Sequence, residues 1–319
     1  MTPGANPDIR IWVFNNLFRG ISDQLDYLRL SFCQQGYKVS ISNKPSLTGL
    51  NVLIENFDEK TFSVVEKFSC QYSKRVAVVM TEHVDFVKGT VLFHGFPVST
   101  PSEYMHPATK RERLLHLLLA KQYIRYFVRL GDLPELVGFE EMMCGPPVIT
   151  IPFPRIQATE RAIKGTTSKR YDLVFAGGLT GYRRWVLDQL ERHFTVRVLT
   201  KPLSRRRRDA VYASGKVVLN IPQESDWPWI STMRILAAWR CGRPVVNIGI
   251  GTKGVLTEFC ENVPGSDSDK ETLAMLLSES DQVFHRQLER YRNYVGSSRD
   301  TTFPGAALRA WQITELETG

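Results

Sequence analysis

Along this chain, short apolar runs alternate with stretches in which apolar residues recur every three or four positions. Residues 11–14 form an apolar run that stops at Asn15 and Asn16, and residues 25–33 carry helical spacing until Gly36 ends it. Residues 37–41, 51–54 and 76–80 read as strands, 61–68 as a helix and 91–93 as one more short strand. From 110 to 127 the spacing predicts one long helix, closed by Gly131 and Pro134. Pro146 and Pro147 then introduce a strand over 148–151. The alternation restarts with strands at 171–176, 195–199, 216–221 and 244–248. Helices are expected at 182–193, 206–213, 231–241, 271–277, 282–295 and 304–314. Apolar runs without polar alternation suit parallel strands covered on both faces. The order predicts an α/β protein with two Rossmann-like doubly wound domains in tandem, facing a central cleft. The expected boundaries are a first domain at 1–155, a polar linker at 156–170, a second domain at 171–300 and a C-terminal helical segment at 301–319.

Composition narrows the class rather than the function. The 319 residues are 43% hydrophobic and 23% charged, which excludes disordered, collagenous and coiled-coil chains. The net charge of +8 favours anionic partners such as phosphates, nucleotides, nucleic acid or an acidic membrane face. The longest apolar stretch, 114–128, is interrupted by His116, Lys121 and Arg125, so no segment is expected to cross a bilayer. The opening residues carry Pro and Asp where a signal peptide would be basic and then apolar. A cytoplasmic location is therefore expected, with peripheral contact at the inner membrane face as a further expectation. The five cysteines include no C-x-x-C pair and read as buried small hydrophobes.

In doubly wound sheets ligands bind beyond the C-terminal ends of the strands, which selects the loops at 15–22, 81–85, 177–184, 222–232 and 249–254. Ser231 and Thr232 open a helix whose free N–H groups and positive dipole end suit a diphosphate, although an ordinary capped crossover helix would read the same way. Arg183, Arg184 and Lys253 are candidate phosphate clamps. Gly249 to Gly254, with Thr252 and Lys253, form a glycine turn whose amides can approach a phosphate, or a plain surface loop. Glu82 and His83 follow a buried strand, where a base can take a proton from an acceptor hydroxyl; Asp85 is a possible orienting partner. The competing readings are a solvated His at a helix start, His94 as the base instead, and, more weakly, His106. Arg205 to Arg208 read as a solvated helix start or an anion-recognition patch, and Trp227 and Trp229 as stacking surfaces or core.

The segment from Tyr212 to Val246 resembles the donor-nucleotide region of GT-B glycosyltransferases, closest to the family-4-like and spore-maturation-type branch. It keeps the strand ending in Asn220, then Ser231, Arg234, Ile235, Ala238, Cys241, Gly242 and the run from Pro244 to Val246. Gly177, Gly178 and Arg183 are similar to that family's glycine turn and following Arg. The likeness covers about residues 171–300; the first half matches in its alternation and its opening strand, loop and helix. It implies a GT-B fold with the last helix returning to the first domain. The implied activity is transfer of a sugar from a nucleotide-sugar donor to a glycan or other surface-polysaccharide acceptor. It implies donor contacts from Gly177, Gly178, Arg183, Asn220, Ser231, Thr232, Arg234, Thr252, Lys253 and Gly254. Acceptor contacts fall to Asn15, Asn16, Gly20, Ser22 and His94, and the base to His83 or Glu82. No cofactor or metal is expected, the nucleotide-sugar being a co-substrate; Asp267 and Asp269 lie away from any plausible donor loop. One position departs: Ala237 stands where the family places the Glu that holds the ribose, and Glu224 or Asp226 are the nearby carboxylates. A non-catalytic nucleotide- or carbohydrate-binding shell and a nucleic-acid-binding protein are the rival expectations.

Overall fold

The computed structural model describes residues 6–16, 20–54, 56–131, 136–157, 169–201, 203–227, 229, 231–249, 254–265, 269–297 and 303–317. Most of the expected linker, residues 158–168, lies outside them. The chain forms two compact units, residues 1–154 with 299–319, and residues 155–298.

The first unit opens with β1 (Ile9–Trp12), α1 (Ser22–Gln34), β2 (Val39–Ser42), β3 (Leu50–Ile54), α2 (Glu59–Tyr72) and β4 (Val76–Val79). All five residues of β3 and all four of β4 are buried, as a strand covered on both faces requires. A three-stranded antiparallel sheet follows: β5 (Val84–Val87), β6 (Thr90–Phe93) and β7 (Phe96–Pro97). Then come α3 (Pro107–Ala120), β8 (Ile124–Leu130), α4 (Phe139–Met143) and β9 (Val148–Ile151). The main sheet is parallel in the order β2-β1-β3-β4-β8-β9, so its winding reverses between β1 and β3.

The expected long helix over 110–127 is corrected here. The helix stops at Ala120, and after one 3-10 turn the chain enters β8. Residues 124–130 are rich in β-branched and aromatic types, and Ile124, Tyr126, Phe127, Val128 and Leu130 are buried in the sheet. A continuous apolar count ran across the boundary because neither Gly nor Pro marks it. Two further strands are pinned by two-residue turns: Lys88-Gly89 joins β5 to β6 and His94-Gly95 joins β6 to β7. All four residues have φ between 50° and 86°, the left-handed pair that a tight hairpin demands.

The helix α2 is started by Asp58, whose carboxylate accepts from Thr61 N at 2.8 Å and from Asn15 Nδ2 at 2.7 Å. Asp58→Ala should therefore lower stability by about 1 kcal/mol, read as a lower urea midpoint. An unchanged midpoint would show that the cap contributes nothing. The final helix (Gly305–Glu317) packs within this unit. Leu308 and Trp311 are buried, Tyr126 donates to Ala307 O, and Glu315 accepts from both Trp311 Nε1 and Arg75 N at 2.9 Å.

The second unit runs β10 (Tyr171–Ala176), α5 (Gly181–Glu191), β11 (Val196–Leu199), α6 (Arg205–Ala213), β12 (Gly215–Asn220) and α7 (Thr232–Arg240). It continues with β13 (Val245–Ile248), α8 (Val255–Phe259), β14 (Glu261–Val263), α9 (Asp269–Ser278) and α10 (Ser280–Ser297). Its parallel sheet has the order β11-β10-β12-β13-β14, with the reversal between β10 and β12. One core packs Leu173, Phe175, Val217 and Leu219 of the sheet against Val186 and Leu187 of α5 and Leu273 and Leu277 of α9. Gln287 of α10, fully buried, accepts from Trp239 Nε1 and extends the ladder by bonding both N and O of Val245. The cysteines divide: Cys241 and Cys260 are buried, but Cys33, Cys70 and Cys144 are exposed, which corrects the reading of all five as buried.

Candidate functional site

In the second unit the winding reverses between β10 and β12, and the loops after these two strands meet there. Two arginines tie them together. Arg183, on α5 and 4% exposed, donates through Nε and Nη2 to Ile221 O, through Nε to Pro222 O, and through Nη1 to Gly178 O. Arg234, on α7, donates to Ala176 O at 3.1 Å and to Asn220 Oδ1 at 2.6 Å. Both guanidinium carbons lie over the Phe175 ring, at 5.3 and 5.1 Å. Thr180, the cap of α5, also bonds Gln223 O across the same gap. A β-carbon on Gly177 would sit 2.9 Å from Arg234 Nη2, so the glycine is what lets the turn pass so close to the charge. Gly178 is open to solvent, with no atom near its Cβ direction.

Helix α7 starts beside this knot. Ser231 caps it, accepting from Arg234 N at 3.4 Å, and Thr232 is its first residue. Thr232 is 6% exposed, yet its hydroxyl has no hydrogen-bond partner among the described residues. The strand ends carry a row of amides that the sequence did not announce. Asn220 Nδ2 donates to Asn247 Oδ1 at 3.1 Å, Asn247 Nδ2 to Asn262 Oδ1 at 2.9 Å, and Asn262 Nδ2 to the carbonyls of Thr257 and Cys260. The parallel register sets it: Asn220 is opposite Asn247, and Asn247 opposite Asn262. Gly254 stands at the start of α8, its carbonyl accepting from Thr257; Thr252 and Lys253 lie outside the described residues. Burial lifts the pKa of Tyr182, whose hydroxyl reaches toward Gly249.

In the first unit the loop after β4 holds a polar cluster. Glu82 and His83 precede β5, and the hairpin register that sets Val84 against Phe93 brings His94 back over them. Glu82 Oε2 meets His94 Nε2 at 2.8 Å, while Arg113 Nη1 and the Tyr104 hydroxyl each reach Glu82 Oε1 at 3.0 Å. Burial alone would raise the Glu82 pKa; the His94 hydrogen bond, the charges of Arg113 and His94, and the Tyr104 hydroxyl outweigh it and bring the carboxyl below its ordinary value. His83 forms a separate pair, its Nε2 2.9 Å from Asp85 Oδ2, and Asp85 Oδ1 accepts from Val137 N. Both members are buried, so neither the solvated-histidine nor the helix-start reading of this stretch holds.

The remaining expected residues fall as follows. Asn15 and Asn16 lie where the first sheet reverses and bond the β3–α2 connection: Asn15 to Asp58 and Thr61, Asn16 to Ile54 O, and Asn56 to Asn15 O. Gly20 is exposed in a turn and Ser22 is the first residue of α1, whereas Arg19 is outside the described residues. His106 caps α3. In the arginine run, Arg205 and Arg208 pair with Asp209, as does Arg240, while Arg206 and Arg207 are exposed. Trp227 is buried and Trp229 half-buried. Ala237 is 1% exposed, packed inside α7. Tyr104, Arg113, Thr180, Asn247 and Asn262 were missed because no local pattern distinguishes them; only the register and the packing of distant segments bring them in. Among the described residues no three His, Cys, Asp or Glu side chains gather to hold a metal ion, and no helix is long and apolar enough to cross a membrane.

No protein-family model matches the chain. It is similar to an uncharacterized protein of Acanthamoeba polyphaga mimivirus, 28% identical over 178 residues, which covers 54% of this chain and 22% of that one. The chain thus spans about a fifth of that relative's length. Among solved structures it is similar to an α1,3-fucosyltransferase, with 10% identity, 99% of this chain and 92% of that one covered, and a TM-score of 0.49. It is also similar to UDP-forming trehalose-phosphate synthases: one from Burkholderia xenovorans (10% identity, 86% and 74% covered, TM-score 0.43) and one from Burkholderia vietnamiensis (12% identity, 92% and 79% covered, TM-score 0.44). At these scores the likeness carries no weight in assigning an activity.

Proposed function

We propose that the chain is a glycosyltransferase of the GT-B type, which moves a sugar from a nucleotide-sugar donor held by the second unit to an acceptor hydroxyl. The observation that carries this reading is the knot at the second unit's reversal point, where two buried arginines clamp the glycine turn after β10 to the loop after β12, beside the start of α7. A doubly wound sheet places its ligand at that point, and a helix start there offers N–H groups and a positive dipole to an anion. In a sugar transfer, charge grows on the leaving diphosphate, and fixed donors of this kind stabilise it without having to reorganise. Arg183 and Arg234 serve by holding the loops. Contact with the diphosphate falls to the first-turn amides of α7 and to Lys253.

On the acceptor side, Glu82 is taken up by three donors, which leaves the base to His83 with Asp85 orienting it. Asn15, Asn16, Gly20, Ser22 and His94 belong to the acceptor side of this reading, with a glycan-type acceptor as the expected class. One observation favours a non-catalytic shell instead: Ala237 is buried and offers no carboxylate to a ribose.

A thermal-shift panel with UDP, GDP, CMP, ADP, dTDP and their sugar conjugates separates the two. A ligand at a hundredfold excess over its Kd stabilises the folded state by about 2.7 kcal/mol. We expect one base to give a shift, Arg234→Ala to weaken it, and turnover of the matching sugar conjugate to follow and fall in His83→Ala. Binding without turnover on any acceptor would favour the shell, and no shift at all would remove the nucleotide from the reading.

A further inference from the structure

The net charge of the chain is not shared between its two units. Residues 1–154 with 299–319 carry 18 Lys and Arg against 18 Asp and Glu, while residues 155–298 carry 23 against 15. The whole excess of +8 thus belongs to the second unit. Much of it is gathered in one segment. From Arg192 to Arg208 there are seven Lys and Arg and no Asp or Glu, and the run is bounded by Glu191 and Asp209.

The fold lays this segment along an open edge. It passes from the end of α5 through β11, the outermost strand on that side of the sheet, into the first turn of α6. An edge strand carries charge to deter pairing with another chain, and Arg197 alone meets that need. The remaining cations have no such use. Arg205 to Arg208 open α6, where the positive end of the helix repels them, and its first turn holds no acid. Asp209 takes up Arg205 and Arg208. Arg206 and Arg207 stay exposed, as do Arg192, Arg197 and Lys201, and none of these five makes an ion pair among the described residues. Crowded like charges repel one another, and a partner with many negative charges relieves them.

The side chains also say which polyanion fits. The described apolar residues of the segment are all half-buried, so none stands out to enter a bilayer. Its exposed neutral groups include the hydroxyls of Thr195, Thr200 and Ser204. Arg, Lys, Ser and Thr are the side chains that bond phosphodiester oxygens, and a guanidinium does so with two hydrogens at once.

We propose that this edge of the second unit binds the phosphate backbone of a nucleic acid, without reading its sequence. The inference stands apart from the sugar-transfer reading, because none of the five exposed cations belongs to the donor or acceptor residues named above.

The experiment follows the anisotropy of a labelled DNA duplex of mixed sequence, and of its RNA counterpart, as salt rises from 50 to 200 mM. Five contacting cations give a slope of log K against log salt of about −4.5 on DNA, an affinity loss of about five-hundredfold over that range. Arg206→Gln with Arg207→Gln should weaken binding at low salt and flatten the slope by about 2. The control is Arg290→Gln with Arg292→Gln, which removes the same charge from exposed positions of α10. That helix lies toward the opposite edge, where its Arg286 pairs with Glu261 of β14, so the control should keep the wild-type slope. Both pairs alter exposed side chains and should melt with the wild type. An equal loss in the control overturns the assignment to this edge. Failure of the wild type to bind either duplex at 50 mM salt overturns the proposal, as does binding to phosphatidylserine vesicles but to neither duplex.

Discussion

Glu82→Ala should cost the first unit about 3–5 kcal/mol, the range expected when one partner of a buried charged cluster is removed. Glu82, His94 and Arg113 are all nearly out of contact with solvent, and the carboxylate is the common acceptor for His94, Tyr104 and Arg113. Without it, the Arg113 guanidinium and the His94 imidazole lose the buried carboxylate they share. The result is read as a lower urea midpoint of the first unit's transition, together with faster hydrogen exchange at the amides of β5 and β6. Glu82→Gln keeps the volume and isolates the charge. The folded protein holds the Glu82 pKa below its ordinary value, so at acid pH the unfolded chain takes up this proton first. The stability contributed by Glu82 is therefore complete above the ordinary glutamate value, and it is lost as pH falls through the lower folded value. Wild type should lose stability on that acid limb, below about pH 4.5, and Glu82→Gln should lose less there while being weaker at pH 7. If Glu82→Gln melts like wild type at pH 7, the cluster is not held by its charge.

The second large effect is expected at Arg183. Its guanidinium serves three carbonyls, those of Gly178, Ile221 and Pro222, and lies over Phe175. Hydrogen bonds from a charged group are worth about 1.5–3 kcal/mol each, so Arg183→Ala should destabilise the second unit by about 3 kcal/mol or more. Arg183→Lys should rescue little, because an ammonium is a single point of charge and cannot span the fork. Both variants should also lose the nucleotide-induced thermal shift, since the loops the arginine holds are the ones offered to the donor. Near-wild-type melting in Arg183→Lys would show that one donor suffices and that the loops are fixed by other means.

Much of the architecture was legible because it depends on local signals. The unbroken apolar runs at 50–54 and 76–79 became buried parallel strands, and the capped periodic stretches became helices. The residues of the glycine turn and of the start of α7 were legible for the same reason, each sitting just past a strand. What failed was whatever depended on a partner far along the chain. Residues 124–127 looked helical because apolar spacing alone cannot tell a helix's last turns from the strand that follows. The strands β5 and β7 hang on two turns, Lys88-Gly89 and His94-Gly95, whose first residues are not the Asn or Asp that usually announces such a turn. Without those turns nothing in the sequence brings His94 to Glu82. Arg183 was read as a clamp for phosphate, and the structure instead points it at backbone carbonyls, a role invisible until the fold bends the β12 loop across it.

The row of asparagines at the ends of β12, β13 and β14 has a direction. Arg234 can only give hydrogens, so Asn220 must turn its oxygen toward it, which leaves the nitrogen of Asn220 for Asn247, and so on to Asn262 and the carbonyls that open β14. Every amide is oriented from one end, as a sentence is read only one way. An aspartate in place of Asn247 would still accept from Asn220 but would have nothing to offer Asn262. That last amide would then have to flip, and the message begun at Arg234 would stop one strand short of the carbonyls of Thr257 and Cys260.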